Sequence, residues 1–268
     1  MRTQGLLLVV ALTLSTVPAP ALAASKARNP DSYTYLTISD SDSLDPAYSY
    51  DTSSQLIILN IYEPLFQFVK SSTEKLVPLA AAQVPSRENG LISADERTYT
   101  IPMRTGVKFH DGTAMTAEDA KWSLLRFMLL DRAAGPSSLL LEPLLGYAST
   151  RDDDGKILPN VWADANRAVG TQGDNLILRL PRPYAPILSI LASWSPILPK
   201  DWAIKNGDWD GNEASWRKYN NPSKETSPFF ERANGTGPFK LDRWDRQTKE
   251  FILTRNDDYW RAPAKIKN

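Results

Sequence analysis

The sequence contains no cysteine and only one histidine, His110. Without cysteine there can be neither a disulfide framework nor a thiolate metal site. A zinc site would lack the further imidazole and thiolate ligands that it requires. His110 could act as a catalytic base, but no Ser-His-Asp arrangement is evident around it. We therefore predict no catalytic residue, no metal site and no cofactor, and a protein that is not an enzyme.

The chain also has no excess of charge of one sign, because 31 basic residues balance 31 acidic residues. Such a balance provides no attraction to nucleic acid or to an anionic membrane surface. No apolar run approaches the roughly 20 residues that a membrane-spanning helix needs. These absences predict a soluble mature protein without a nucleic-acid partner.

The N-terminus contains the three parts of a secretory signal peptide in their usual order. Met1-Arg2 is a charged start, residues 6–12 are a short apolar run, and Ala21-Leu22-Ala23 is a small-x-small cleavage site. A buried N-terminal helix is the alternative, although it would not require this order. We predict export, with cleavage after Ala23. A bacterial lipoprotein needs a cysteine at its new N-terminus, so the protein is expected to be free in the periplasm and not lipid-anchored.

Hydrophobic patterns predict a mixture of strands and helices. The predicted strands are residues 33–38, 95–104 and 175–180, with a hairpin of residues 239–244 and 250–255. Pro102 indicates an edge position or a bulge in its strand. The predicted helices are residues 53–62, with Leu56, Ile57 and Leu59 available for burial, and residues 116–131. This order without strict alternation predicts a mixed α/β, or α+β, architecture.

The helix predicted at residues 116–131 has the clearest local signals. Thr116 can cap it, and Asp119 stands three residues further on, as in a capping box. Four apolar residues share one face of this helix, namely Ala120, Leu124, Phe127 and Met128. Lys121 and Arg126 are predicted to lie off this apolar face.

Five short motifs follow one another along the chain. They are Leu44-Asp45-Pro46, residues 60–65, residues 107–119, residues 235–240 and residues 255–260. In this order, behind a signal peptide, the sequence resembles the extracellular solute-binding proteins of family 5, which include the dipeptide- and oligopeptide-binding proteins of ABC transporters. Read residue by residue, the motifs describe turns and helix ends, and so indicate fold more than chemistry.

The resemblance implies the fold of periplasmic binding proteins of type II. The chain is shorter than members of that family, so we expect the first lobe plus the small extra domain, with the second lobe missing. The expected divisions are a signal peptide at 1–23, the first part of lobe I at 24–62, an inserted small domain at 63–168 and the second part of lobe I at 169–268.

The same resemblance implies a function. The protein would be the periplasmic substrate-binding component of an ABC importer, would capture a small peptide or other small solute in the cleft between its lobes, and would deliver it to permease subunits in the inner membrane. We expect a monomer. By resemblance, the ligand-contacting residues are Tyr48, Tyr50, Thr52, Trp194, Ser195, Thr236 and Gly237. Tyr48, Tyr50 and Trp194 could equally be core residues.

Two alternatives to a transport receptor stay open at this point. One is a secreted hydrolase, for example a glycosidase, with Glu118 and Asp119 as paired carboxylates, although adjacent helix positions point about 100° apart. The other is a non-functional truncated remnant of the binding protein. Because the groups that hold a peptide's termini would lie largely in the second lobe, we expect this chain to bind ligand weakly or not at all.

Overall fold

A computed structural model describes residues 29–268, so the predicted signal peptide lies outside the described residues. The helices, in chain order, are α1 (Thr52–Ile61), α2 (Ala117–Leu130), α3 (Ser138–Leu145), α4 (Val161–Ala168), α5 (Ile187–Trp194), α6 (Lys200–Lys205) and α7 (Glu213–Trp216). The strands are β1 (Phe66–Phe68), β2 (Leu76–Pro78), β3 (Thr98–Pro102), β4 (Val169–Gln172), β5 (Asn175–Arg179), β6 (Phe239–Asp245) and β7 (Glu250–Arg255). The predicted mixture of helices and strands is confirmed. Within residues 29–268, no helix has the length and apolar character needed to span a membrane.

Helix α2 begins where the sequence predicts. The Thr116 Oγ1 accepts a hydrogen bond from the Asp119 backbone N–H at 3.3 Å, and Asp119 Oδ2 accepts one from the Thr116 N–H at 2.9 Å. This reciprocal pair is the predicted capping box. Nearly every side chain of α2 is buried, including that of Arg126, which is 1% exposed. Arg126 is inside the core although it is charged, because α2 is packed on nearly all of its faces.

Strands β3, β5 and β4 form an antiparallel sheet in that order. Tyr99 of β3 lies opposite Leu178 of β5, and both side chains are buried. Pro102 is the last residue of the edge strand β3 and lies opposite Asn175. Because proline has no backbone N–H to donate to a sheet, it is favoured at such edge positions. Residues 63–168 and 169–268 both contribute to this sheet, and residues 31–268 form one compact unit. The predicted boundary at residue 168, between the inserted small domain and the second part of lobe I, stays a prediction that depends on the family resemblance.

The predicted C-terminal hairpin is confirmed, with β6 antiparallel to β7 and a register irregularity between Leu241 and Arg243. The strand predicted at residues 33–38 is wrong, because that segment is irregular. Its large apolar side chains are exposed, with Leu36 at 87% and Ile38 at 108% of their reference areas. Apolar residues form a strand only where another strand pairs with them, and no named strand of the described residues pairs with this segment.

Candidate functional site

Two aromatic residues predicted to contact ligand meet at the surface. The rings of Tyr50 and Trp194 have centroids 5.3 Å apart at an interplanar angle of 61°, an edge-to-face arrangement typical of aromatic pairs. Tyr50 is 57% exposed and Trp194 is half-buried. Thr52, the first residue of α1, is also exposed. We call Tyr50 and Trp194 the aromatic pair.

The loop that carries Tyr50 is held by Asp45, which is fully buried. Asp45 Oδ1 accepts a hydrogen bond from the Ala47 N–H at 2.9 Å, and the Asp45 carbonyl accepts bonds from the N–H groups of Tyr48 and Ser49, both at 3.0 Å. Asp51 then caps α1 by accepting from the Ser54 N–H at 2.8 Å. Residues 45–51 therefore form a hydrogen-bonded turn that leads directly into a helix.

Arg126 holds the loop of residues 45–51 through Asp45. Its Nη1 and Nη2 donate to the two carboxylate oxygens of Asp45 at 2.8 and 2.6 Å, and its Nε donates to Asp208 at 2.8 Å. All three side chains are buried. Burial alone would lower the pKa of Arg126, but the charges of Asp208 and Asp45 outweigh it and raise the pKa. Such a group of charges persists in a core only when each polar atom is paired.

The other half of the aromatic pair is fixed by Ser195, the residue after α5. Ser195 is 1% exposed; its Oγ accepts from the Leu65 N–H at 3.0 Å and donates to the Leu191 carbonyl. Two residues later, the Ile197 N–H donates to the Glu63 carbonyl at 3.1 Å. The end of α5, and with it Trp194, is thus bonded to the chain that follows α1.

Thr236 lies in a buried junction around Glu63, not at the surface. Glu63 is 2% exposed and accepts hydrogen bonds from Thr236 Oγ1 at 2.9 Å, Tyr259 OH at 2.5 Å and Trp260 Nε1 at 2.8 Å. Burial raises the pKa of Glu63, while these three donors oppose that rise. The motifs at residues 60–65, 235–240 and 255–260 therefore meet at one carboxylate.

His110 belongs to the same junction. Its Nδ1 accepts from the Gly235 N–H at 3.3 Å, so the other ring nitrogen, Nε2, carries the proton and donates to the Gly237 carbonyl at 3.0 Å. Burial lowers the pKa of His110 to about 4, which keeps the ring neutral at neutral pH. Asn234 and Asp111 add a reciprocal pair of hydrogen bonds at 2.8 and 3.3 Å. Each of these contacts is a structural one within the fold.

The glycines of the junction permit a very close approach to α1. A Cβ on Gly235 would lie 2.1 Å from the Ile61 carbonyl oxygen, and one on Gly237 would lie 2.6 Å from that of Asn60. No side chain fits at either distance. Gly237 is therefore placed where the chain packs on the C-terminal turn of α1.

The seven predicted contact residues thus divide into two groups. The structure brings Tyr50 and Trp194 together at the surface, with Thr52 also exposed. It buries Tyr48 and Ser195 and places Thr236 and Gly237 in the junction. Pattern reasoning missed Arg126, Asp208 and Glu63 as buried charges. The signal available for Arg126 was its position inside an otherwise apolar helix segment, Leu124 to Leu130.

The sequence and structure were compared with known proteins. Residues 75–268 match the family model described as bacterial extracellular solute-binding proteins, family 5 Middle. The chain is 34% identical to the glutathione-binding protein GsiB of Pectobacterium atrosepticum over 82% of this chain and 33% of that protein. It is 28% identical to GsiB of Escherichia coli K12 over 81% of this chain and 33% of that protein. The chain therefore spans about a third of the length of these relatives.

Solved structures share the fold. The periplasmic binding protein DppA of Helicobacter pylori, in complex with the peptide STSA, superimposes with a TM-score of 0.59 at 24% identity, over 85% of this chain and 40% of that one. This likeness confirms the predicted fold of periplasmic binding proteins of type II, present here in part. Because the family model covers most of the chain, the chain belongs to the bacterial extracellular solute-binding proteins, family 5.

Proposed function

We propose that this chain forms one wall of a ligand-binding cleft in the substrate-binding component of an ABC importer, acting in the periplasm without catalysis. The observation that carries the proposal is the aromatic pair, an exposed Tyr50 against a half-buried Trp194, held at the surface by a hydrogen-bonded scaffold in a member of a solute-binding family. Its solute is a small peptide, with glutathione the first candidate because the relatives are glutathione-binding proteins.

The scaffold beneath the aromatic pair suits recognition. Arg126 and Asp45 hold the Tyr50 loop, and Ser195 holds the end of α5. A surface whose backbone is already ordered loses little conformational entropy when a ligand binds. Tyr48 and Ser195, both predicted as ligand contacts, would then act by positioning Tyr50 and Trp194.

A hydrolase is not favoured by the positions of its candidate carboxylates. Asp119 is buried in the capping box, where its Oδ1 also accepts from the Lys200 N–H at 3.0 Å. Glu118 is half exposed and accepts from Thr171 Oγ1. The two carboxylates therefore have different partners, and one of them already has its oxygens occupied. A single substrate bond could not lie between them.

The test is calorimetric and NMR titration of the purified chain with glutathione and with trialanine. A typical pocket buries most of its ligand, whereas one wall buries less, so we expect a dissociation constant of about 1 mM or weaker. Trp194→Ala and Tyr50→Ala should each weaken binding at least several-fold. Tyr33→Ala is the matched control, because Tyr33 is 69% exposed but its backbone lies beside Asn268.

Three results would count against the proposal. Equal loss of binding in Tyr33→Ala would show that the aromatic pair has no special role. Submicromolar binding by this chain would show that a second wall is not needed. Turnover of a model ester or glycoside, abolished by Glu118→Gln, would favour the hydrolase instead.

A further inference from the structure

The loop that carries Tyr50 is held at a second point, by Arg132, which lies two residues after α2. Arg132 Nη1 donates to the Tyr48 carbonyl at 3.1 Å and to Asp42 Oδ2 at 3.0 Å. The guanidinium carbon of Arg132 also lies 5.7 Å from the centroid of the Tyr48 ring, within reach of a cation–π contact. Unlike the buried Arg126, Arg132 can be replaced without leaving an unpaired charge in the core, because the side chain of its partner Asp42 is 32% exposed.

The contact with Arg132 reaches the backbone just before Tyr50. The Tyr48 carbonyl accepts from Arg132, and the carbonyl of the next residue, Ser49, accepts from Gln55 Nε2 at 3.2 Å. Gln55 belongs to α1, the helix that begins directly after this loop, so its contact is a local one. Arg132 instead ties the loop to a segment 84 residues further along the chain.

The backbone on both sides of Arg132 is itself fixed. Asp131 Oδ2 accepts hydrogen bonds from the N–H and the Oγ1 of Thr150, both at 2.7 Å. The Ala133 N–H donates to Asn221 Oδ1 at 2.8 Å. The Arg132 side chain therefore extends from a backbone that other segments of the fold hold in place.

Asp42 holds the guanidinium group of Arg132 in position. Its Oδ2 accepts from Arg132 Nη1 and its Oδ1 accepts from Lys224 Nζ. Burial would raise the pKa of Asp42, but Lys224 and Arg132 outweigh it and hold the pKa below its usual value. The carboxylate is therefore charged at neutral pH, and hydrogen bonds to a charged acceptor are stronger than those between neutral groups. Nη1 carries two N–H groups, one for Asp42 and one for the Tyr48 carbonyl.

We propose that Arg132 is a positioning residue for the candidate ligand site: by holding the Tyr48 carbonyl, it fixes the Tyr50 ring against Trp194. The inference rests on the proposed function, because it assigns Arg132 a role in the same recognition surface. Arg132 acts through Tyr50 and does not itself contact the solute. A ring that is already in place loses less conformational freedom when a ligand binds, so removal of Arg132 should weaken binding.

The test compares Arg132→Met, Arg132→Lys and Lys224→Met, each first shown to be folded by urea unfolding. Lys224→Met is the matched control, because it removes the other cation from Asp42 and leaves the bond from Arg132 to the Tyr48 carbonyl. Arg132→Lys is the conservative variant, since lysine keeps the charge but has no planar guanidinium group to bridge two fixed acceptors.

Two quantities are measured for each variant. The first is the set of nuclear Overhauser contacts between the Tyr50 and Trp194 rings, recorded without ligand. We expect these contacts to weaken in Arg132→Met, to be intermediate in Arg132→Lys and to match the wild type in Lys224→Met. The second is the dissociation constant for trialanine, which should rise at least about threefold in Arg132→Met because a side chain must be immobilised on binding. It should not change in Lys224→Met.

Unchanged ring contacts in Arg132→Met would overturn the proposal, whether or not solute binds. Weaker ring contacts with an unchanged dissociation constant would also overturn it, because the position of Tyr50 would then have no effect on recognition. An equal loss of ring contacts in Lys224→Met would assign the effect to Asp42 and not to Arg132. If neither the wild type nor any variant binds trialanine, the proposed function fails, while the ring contacts measured without ligand still decide whether Arg132 positions Tyr50.

Discussion

The imidazole of His110 is held in its neutral form by two backbone groups, the Gly235 N–H and the Gly237 carbonyl. Protonation of Nδ1 would place an N–H against the N–H of Gly235 and break that contact. Lys240 disfavours the charged ring and Asp111 favours it, but burial is the larger influence and lowers the pKa to about 4. A buried histidine with this pKa stabilises the fold only while it is neutral.

The pH dependence of stability follows from that pKa. An unfolded histidine titrates near 6.5 and the folded one near 4, so the unfolded chain binds more protons between these values. The contribution of His110 is complete above pH 6.5 and is lost as the pH falls toward 4, by at most about 3 kcal/mol. Urea unfolding at pH 7, 6, 5 and 4.5 should show this loss in the wild type and a flatter profile in His110→Gln. Parallel profiles for the two proteins would contradict the assignment.

The buried charged residues are the ones whose positions could least be predicted from the sequence. Residue type alone predicts an exposed position for Arg126, because arginine is almost never fully buried unless it is paired. Its partners, Asp45 and Asp208, are 81 and 82 residues away along the chain. Local periodicity carries no information about partners at that separation, so only the folded chain identifies the pairing.

At the scale of elements, the C-terminal turn of α1 packs directly on the segment 234–237. Gly237→Ala would add a Cβ 2.6 Å from the Asn60 and Ile61 carbonyl oxygens, so one of the two backbones must move. We expect a loss of at least about 2 kcal/mol in the free energy of unfolding, because overpacking against backbone cannot relax by a rotamer change. Urea denaturation measures this loss.

Gly90→Ala is the matched control for this substitution. Gly90 has a φ of +72° and no atom within 4 Å of an added Cβ, so alanine there meets only the backbone penalty of about 1 kcal/mol. If the two variants are destabilised equally, close approach at Gly237 is not what requires glycine.

At the scale of the whole molecule, residues 33–38 present a strip of exposed apolar side chains. Thr37 and Ser39 contact Ser53 at the start of α1 through their side-chain oxygens, so the strip runs beside that helix. The burial predicted for Leu56 and Leu59 of α1 is wrong, because α1 packs through Ser54, Ile58 and Ile61 and leaves these two leucines 43% and 44% exposed. Exposed apolar side chains mark interaction sites where they form a contiguous patch. The monomeric state stays a prediction.

The strip should bind an apolar dye. Leu36→Ser combined with Ile38→Ser is expected to reduce the fluorescence of anilinonaphthalene sulfonate bound to the native chain. The free energy of unfolding should change by no more than about 0.5 kcal/mol, because neither side chain is packed. Lys205→Ser, on the exposed side of α6, should leave the dye signal unchanged. Undiminished fluorescence in the double variant would show that the dye binds elsewhere.

The sequence by itself determined the features that depend on neighbouring residues: the capping box of α2, the β6–β7 hairpin, the edge position of Pro102 and the order of motifs that identifies the family. These follow from dihedral preferences and hydrogen bonds within a few residues. Only the tertiary structure decided which candidates reach the surface: Tyr50 and Trp194 meet there, while Thr236 and Gly237 pack at Glu63. It also decided that residues 33–38 form no strand. Burial and pairing depend on groups that are distant in the chain, and no local pattern encodes how such groups come together.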